Sequence, residues 1–341
     1  MNDVRVGYTC QKVSPVEEEP VSAQDDIPDS VAIELYRKMV LSRTLDERLR
    51  TAYENLEFRG ELHLSMGHEA VAVGAVAAAE PCFVSSHYRS HALAVAKGLD
   101  LKAVAAEIYG RATGVCKGKG GHMHLTDLSR GFAATSIVGA SVPIGAGYAF
   151  ASKLLGRGTP TLAFMGDGAL HQGGVMETFN IASIWGLPLL LVVENNEFAF
   201  STPSSTHSSV QPLAARARGF NIASYTMDGI DANAVYAFAS TVVKDVMSGS
   251  RPILVEFKVP RLSGHVEVVD FEDYRSAKEK AKLVERDPIA VTRATLLSQG
   301  VLDESKDEQL RKEAAKQVQE ALEYAASSPF PPADEAYSGV G

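Results

Sequence analysis

The run TLAFMGDGALHQGGVMETFNIASIWGLPLLLVVENN, residues 161–196, holds two short apolar segments on either side of a helical pattern. Segments 161–165 and 187–193 have the length and apolar character of buried strands, and residues 173–185 have the length of a helix between them. This order predicts one β-α-β unit with two parallel strands and a right-handed crossover.

Two further apolar runs, 82–86 and 252–259, are separated from this unit by stretches with helical patterns. Strong apolar runs that alternate with helices are typical of a parallel sheet covered on both faces. We therefore predict an α/β fold in which a parallel β-sheet is flanked by helices.

The ends of the chain differ from its middle. Residues 1–28 are acidic and contain three prolines, which predicts an extended N-terminal arm. Residues 31–57 have the pattern of an amphipathic helix that Asp29 or Ser30 can cap. The C-terminal tail, 327–341, has three prolines in four positions and is expected to be a loose end or an arm that grips a partner. One domain, 29–326, lies between.

Composition excludes several classes of protein. The 341 residues are 45% hydrophobic and 22% charged, with a formal net charge of −9, so a basic surface for nucleic acid is not expected. No apolar run is long enough to span a membrane, and the N-terminus has no signal-peptide core. The three cysteines, Cys10, Cys82 and Cys116, form no CxxC pair, which predicts reduced thiols and a cytoplasmic protein.

Polar side chains follow each of the four apolar runs directly. They belong to the segments HYRSH (87–91), GDGALHQGG (166–174), ENNEF (194–198) and PRLSGH (260–265). Because ligands of open α/β sheets bind outside the carboxyl ends of the strands, these segments predict one ligand site built from arginine, aspartate, asparagine and histidine. The alternative is that they are ordinary polar loops.

Asp167 and Asn196 lie 29 residues apart, each just after a predicted strand, and one crossover would bring them to adjacent strand ends. A carboxylate and an amide oxygen form a hard pair that suits Mg²⁺. Gly166 and Gly168 let the backbone approach a diphosphate, and Gly173 opens a helix whose amide end favours anions. The sequence therefore predicts a magnesium ion tied to a bound diphosphate, although Asp167 could equally be a plain loop residue.

A GDG segment followed about thirty residues later by NN is the thiamine diphosphate signature, here GDGA (166–169) and ENN (194–196). From about residue 31 to 326 the chain resembles the alpha subunit of the decarboxylating dehydrogenase component of 2-oxo acid dehydrogenase complexes. Further motifs carry the resemblance, namely HLSMGHEAVAVG (63–74), HYRSH (87–91), GKGGHMH (118–124), SIVGASVPIGAG (136–147) and GH (264–265). The resemblance implies the diphosphate-binding half of a thiamine diphosphate-binding fold.

The resemblance also implies roles for individual residues. Asp167, Asn196 and the carbonyl of Phe198, where the family usually has Tyr, would bind Mg²⁺. Thiamine diphosphate would be contacted by Tyr88, Arg89, Ser136, Val138, Gly168, Ala169 and His265. For Arg89 an ordinary surface salt bridge is the alternative.

Two histidines match catalytic positions of the family. His265 would act in proton transfer and acyl transfer, and His63 would face the substrate carboxylate, unless it is a structural histidine. His68 and His171 replace a common Gln and Asn, and are expected to line the substrate pocket. His122 and His124 lack a third ligand at convincing spacing, so zinc is not expected.

The function implied is oxidative decarboxylation of a small 2-oxo acid, pyruvate-like, or cleavage of acetoin, with acyl transfer to a lipoyl group. The family's catalytic glutamate belongs to a beta subunit, so the resemblance implies an α2β2 heterotetramer and a lipoyl-bearing acyltransferase partner. A thiamine-dependent carboligase or lyase and a non-catalytic scaffold subunit stay open as alternatives. Residues 201–219 and the segment after Arg261 are expected to be mobile loops that order when the cofactor binds, or else static surface loops.

Overall fold

The computed structural model describes residues 27–249, 251–267 and 274–338. Cys10 and almost all of the predicted N-terminal arm lie outside the described residues. The α-helices are α1 (Asp29–Glu54), α2 (Glu69–Ala79), α3 (His91–Ala96), α4 (Leu101–Ile108), α5 (Ser141–Leu154), α6 (Gly173–Trp185), α7 (Ser204–His207), α8 (Ala232–Gly249), α9 (Ala277–Val284), α10 (Pro288–Ser298) and α11 (Glu304–Ser327). Among them, none combines the length and apolar character that a membrane span requires.

The strands are β1 (Phe83–His87), β2 (Thr126–Asp127), β3 (Phe132–Thr135), β4 (Thr161–Gly166), β5 (Leu189–Asn195), β6 (Phe198–Ala199), β7 (Thr202–Pro203), β8 (Ala223–Asp228) and β9 (Ile253–Lys258). Seven of them form one sheet in the order β2-β3-β1-β4-β5-β9-β8, and β6 pairs with β7. Only the edge strand β2 runs antiparallel within this seven-stranded sheet. The predicted parallel α/β fold is confirmed.

The β-α-β unit predicted at 161–196 is present. Strands β4 and β5 pair in parallel from Thr161 opposite Leu189 to Gly166 opposite Glu194, and α6 connects them. Alternate residues of β4 pack into two different hydrophobic clusters. Leu162 and Phe164 belong to the first cluster, and Ala163 and Met165 belong to the second. Both faces of the sheet are therefore buried, which explains why its strands read as unbroken apolar runs.

Helix α2 is apolar on all sides because it is enclosed by other helices. Nearly all of its residues are buried, and it packs against α8. A Cβ atom at Gly74 would lie 2.8 Å from Cγ1 of Val235, so a larger residue there would push the two helices apart.

The predicted cap and end of helix α1 were wrong, and the C-terminal tail contacts the rest of the chain. Helix α1 begins at Asp29 after Pro28 and has no side-chain cap, so neither Asp29 nor Ser30 caps it. The helix ends at Glu54 rather than at residue 57, and Leu56 adopts a left-handed φ of 59°. The described part of the C-terminal tail is not loose, because Ala112 donates to the carbonyl of Pro329 and the Arg111 guanidinium lies over the Phe330 ring.

Candidate active site

The carboxyl ends of β1, β4, β5 and β9 open into one cavity of about 350 Å³. Most of the predicted site residues line it, namely Tyr88, Arg89, Val138, Asp167, Gly168, Ala169, Asn196, Phe198 and His265. Ser136 and His63 are not among the lining residues. The parallel sheet is what gathers these distant segments, since the carboxyl ends of its strands meet at one edge.

Arg89 is buried, with 4% of its surface exposed. Its guanidinium donates to the backbone carbonyls of Leu64 at 2.5 Å and His265 at 3.0 Å. Burial lowers the pKa of Arg89, and no carboxylate of the described chain lies within ion-pair distance of it. Arg89 is therefore a buried cation at the cavity wall and not a surface salt bridge.

Arg261 is a second buried cation in this wall, and sequence reasoning did not assign it a role. It is 2% exposed and donates to the carbonyls of Phe198 at 3.4 Å and Phe200 at 3.1 Å, and to the hydroxyl of Tyr274. Burial, followed by the charge of the nearby Arg89, lowers its pKa to about 9. The sequence offered one signal for a role of Arg261, which is its position directly after the fourth apolar run.

Two buried guanidinium groups at one cavity favour an anionic ligand, because isolated buried charge is costly. Arginine binds phosphate oxygens through fixed, paired N–H groups. A Cβ atom at Gly168 would lie 2.6 Å from Cβ of Ala199, so a larger residue does not fit at this point of the wall. These residues fit a diphosphate.

The predicted metal ligands lie together on the same wall. The Asn196 side-chain oxygen and the Phe198 carbonyl are 3.5 Å and 3.4 Å from one Arg261 nitrogen, so they face a common point. Glu197, between them, has a left-handed φ of 68°, which makes the sharp turn after β5. Burial raises the pKa of Asp167 and outweighs His207 and Arg261, which lower it. A carboxylate, an amide oxygen and a backbone carbonyl are hard oxygen ligands of the kind that fit Mg²⁺.

Glu194 and two histidines form a buried group that sequence reasoning missed. The Glu194 carboxylate lies 2.6 Å from Nε2 of His87 and 3.2 Å from Nδ1 of His68. Burial raises the pKa of Glu194, but the two imidazoles outweigh burial and hold it at about 2. His68 lines the cavity as expected, and its buried Nε2 has no partner within the described chain. His171 does not line the cavity and instead contacts His207.

His265 and His63 are neighbours at the cavity edge. Their ring centroids are 5.2 Å apart, and the ring of Phe200 lies 4.3 Å from that of His265. Burial, followed by the charge of Arg89, lowers the pKa of His265 to about 3 and that of His63 to about 2. Both imidazoles are therefore neutral at physiological pH.

The segment 201–219 contains regular structure. It includes β7, α7 and part of a 3₁₀ helix, Leu213–Phe220, in which Leu213, Ala214 and Ala217 are buried. Leu213, Ala214 and Ala217 belong to a hydrophobic core, and their 3₁₀ helix packs against β8, β9 and α6. Of the segment after Arg261, residues 268–273 lie outside the described residues.

The fold and the cavity define an α/β protein with a candidate ligand site at the carboxyl ends of its parallel strands. Residues 36–334 match the family model described as dehydrogenase E1 component, and the chain belongs to this family. Membership implies thiamine diphosphate as cofactor and, for an alpha subunit, a beta subunit as partner.

Curated relatives match along nearly the whole chain. The pyruvate dehydrogenase E1 component subunit alpha of Rickettsia bellii is 36% identical over 99% of this chain and 99% of its own length. That of Zymomonas mobilis is 38% identical over 90% of this chain and 88% of its own length. The alpha subunit of an acetoin:2,6-dichlorophenolindophenol oxidoreductase from Cupriavidus necator is 35% identical, over 94% and 96%.

Proposed function

We propose that the chain is the alpha subunit of an enzyme that oxidatively decarboxylates a small, pyruvate-like 2-oxo acid and transfers the acyl group to a lipoyl-bearing acyltransferase. One observation carries this proposal: two buried arginines and three metal-type oxygens face one cavity at the strand ends. The relatives named as pyruvate dehydrogenase subunits support the substrate class. The acetoin-named relative supports acetoin as a second substrate to test.

The residues of the chain have distinct tasks in this proposal. Thiamine diphosphate supplies the electron sink for decarboxylation when it is bound. Asp167, Asn196 and the Phe198 carbonyl hold Mg²⁺. Arg89 and Arg261 neutralise the diphosphate, which in turn compensates their own burial.

The remaining lining residues orient the reacting part of the site. Tyr88 and the backbone of Val138 contact the cofactor, as do the backbones of Gly168 and Ala169. Ser136 lies two residues before Val138 and keeps its proposed backbone contact. His265 is neutral, so one ring nitrogen can donate a hydrogen bond while the other accepts a proton.

The proposal needs a beta subunit, and two helices offer an apolar surface for it. We call this surface the α5–α6 face, and its exposed side chains are Ile144, Phe150, Leu154, Ile181, Ile184 and Trp185. Ile184 is 70% exposed and Leu154 is 71% exposed, which is unusual for large apolar residues on a free surface. We propose an α2β2 heterotetramer in the cytoplasm, in which the isolated alpha chain is inactive.

The test is turnover by the alpha and beta subunits expressed together, with thiamine diphosphate, Mg²⁺ and a lipoyl domain. A panel of 2-oxo acids and acetoin is assayed for acyl-lipoyl product. We expect turnover with a pyruvate-like acid, and His265→Asn should lower kcat by about a hundredfold. Carbon–carbon ligation without acyl transfer would replace the proposal with a carboligase, and cofactor binding without any turnover would favour a scaffold subunit.

A further inference from the structure

One ring nitrogen of His122 lies within hydrogen-bond distance of two nitrogens of His63. Nε2 of His122 lies 3.1 Å from the backbone nitrogen of His63 and 3.1 Å from Nδ1 of the same residue. A backbone N–H can only donate, so Nε2 of His122 must accept. The neutral His122 ring therefore carries its proton on Nδ1.

This direction decides the protonation of His63. If Nδ1 of His63 carried no proton, its lone pair would face the lone pair of His122 at 3.1 Å. The favourable arrangement has Nδ1–H of His63 donating to Nε2 of His122, beside the backbone donor. A neutral imidazole has one N–H, so Nε2 of His63 then presents a lone pair.

The surroundings keep both rings neutral and in place. His122 is 5% exposed, and burial followed by the charge of His91 lowers the pKa of His122 to about 3. His91 is itself held by Asp46, with Nδ1 2.7 Å from a carboxylate oxygen, and its ring lies 5.9 Å from that of His122. Asp46 is further fixed because it accepts the backbone N–H of Ser65 at 2.6 Å.

The His63 ring, with its unprotonated Nε2, lies beside residues that line the active-site cavity. Its ring centroid lies 4.6 Å from that of Tyr88 and 5.2 Å from that of His265, and both of these residues line the cavity. A neutral ring whose Nε2 bears a lone pair repels a carboxylate and accepts from a hydroxyl or N–H group. The role that the family resemblance implies for His63, which is to face the substrate carboxylate, does not match this chemistry.

We propose that His122 is a positioning residue that fixes His63 as the Nδ1–H tautomer, so that His63 offers a hydrogen-bond acceptor to hydroxyl-bearing ligands of the active site. The role of His63 toward a ligand rests on the proposed function, whereas its tautomer does not. His122→Gln keeps an acceptor oxygen at this place, and His122→Leu removes the acceptor with a side chain of similar reach.

The tautomer is read by solid-state NMR of the assembled complex, in which only the alpha subunit carries ¹⁵N-labelled histidine. The His63 signals are assigned by their loss in His63→Phe. We expect a protonated Nδ1 and an unprotonated Nε2 in the wild type and in His122→Gln, and a shift toward protonated Nε2 in His122→Leu. A protonated Nε2 in the wild type, or an unchanged tautomer in His122→Leu, would overturn the inference.

Steady-state kinetics are the second test, and they distinguish a positioning role of His122 from an effect on folding. We expect His122→Leu to lower kcat about tenfold with little change in KM, and His122→Gln to recover most of the loss, at equal thermal midpoints. Equal kcat in both variants would overturn the positioning role even with the predicted tautomer. If the wild type lacks turnover with every substrate but shows the predicted tautomer, the proposed function fails and the tautomer assignment stands.

Discussion

His207 reaches across the cavity edge to Asp167, with Nε2 of the imidazole 3.3 Å from Oδ2 of the carboxylate. The other ring nitrogen of His207 lies 3.0 Å from Nε2 of His171, on the turn that follows β4. Residues 201–207 are otherwise exposed or half-buried, and β7 pairs with β6, so the His207 side chain adds a second attachment of this segment to the site. The attachment links the 201–219 segment to the proposed metal ligand.

We predict that His207→Ala loosens this attachment in the cofactor-free chain. Cleavage within residues 201–210 by a broad-specificity protease should become several-fold faster, because local opening no longer breaks the contact with Asp167. The measurement is limited proteolysis with mass mapping of the cut sites. Ser205→Ala, at an exposed position of the same helix, is the matched control and should cleave like the wild type. Equal cleavage of all three proteins would show that His207 does not hold the segment.

Glu107 anchors the glycine-rich turn at 116–121. Its buried carboxylate accepts backbone N–H groups of Cys116 at 2.7 Å, Gly118 at 2.9 Å, Gly120 at 2.7 Å and Gly121 at 3.1 Å. Glu107→Ala should lower the free energy of unfolding by about 3 kcal/mol, because these donors lose their acceptor in a partly buried place.

Urea unfolding of the full-length chain measures this loss. Glu107→Gln keeps one carbonyl acceptor and should lose about half as much. Lys102→Ala, on the exposed side of the same helix, serves as the control and should change stability little. A Glu107→Ala protein as stable as the control would mean that water replaces the carboxylate.

Asp307 gives the fold a pH dependence at acid pH. Burial raises the pKa of Asp307, but hydrogen bonds from Tyr36, Arg293 and Arg311 outweigh burial, so the net pKa lies below its ordinary value. A carboxyl whose pKa is depressed on folding stabilises the protein above the unfolded pKa of about 3.9, and this contribution is lost as pH falls through the folded value.

Asp307→Asn should therefore lower the free energy of unfolding by roughly 2 kcal/mol at pH 7. The difference in stability between the variant and the wild type should shrink below about pH 4. The measurement is the thermal midpoint of both proteins from pH 7 down to pH 3. Glu308→Gln removes the same charge at an exposed neighbouring position and should track the wild type throughout. A gap that is constant with pH would show that packing, and not the charge of Asp307, is responsible.

The α5–α6 face predicts how the subunits associate. Ile184→Asp places a charge in the middle of this apolar surface and should sharply reduce the amount of beta subunit that co-purifies with the chain. Ala294→Asp adds the same charge at an exposed position on α10 and should leave co-purification intact. Undiminished association of Ile184→Asp would place the beta subunit on another surface.

Strand and helix order could be predicted from the sequence because buried parallel strands read as apolar runs. The β4-α6-β5 unit is the best example, with the predicted helix at the observed residues Gly173–Trp185. Strands β2, β3 and β8 were missed. β2 and β3 are only two and four residues long, and β8 has exposed and half-buried side chains, so none of them reads as a strong apolar run.

The site was predictable where a motif and a strand end coincide, as at Asp167 and Asn196. Arg261, Glu194 and His207 were missed for another reason. Their importance depends on contacts between segments far apart in the chain, such as Arg261 with the Phe198 carbonyl and His207 with Asp167. The pairing of His63 with His122, which are 59 residues apart, is likewise visible only in three dimensions.

The central claim is that Asp167 and its neighbours hold a metal-bound diphosphate. The most direct measurement is calorimetric titration of thiamine diphosphate, with and without Mg²⁺, into the chain co-expressed with its beta subunit, beside Asp167→Asn. We predict binding that requires Mg²⁺ and is weakened at least about a hundredfold by Asp167→Asn. Binding that is independent of Mg²⁺, or equally strong in the variant, would contradict the account.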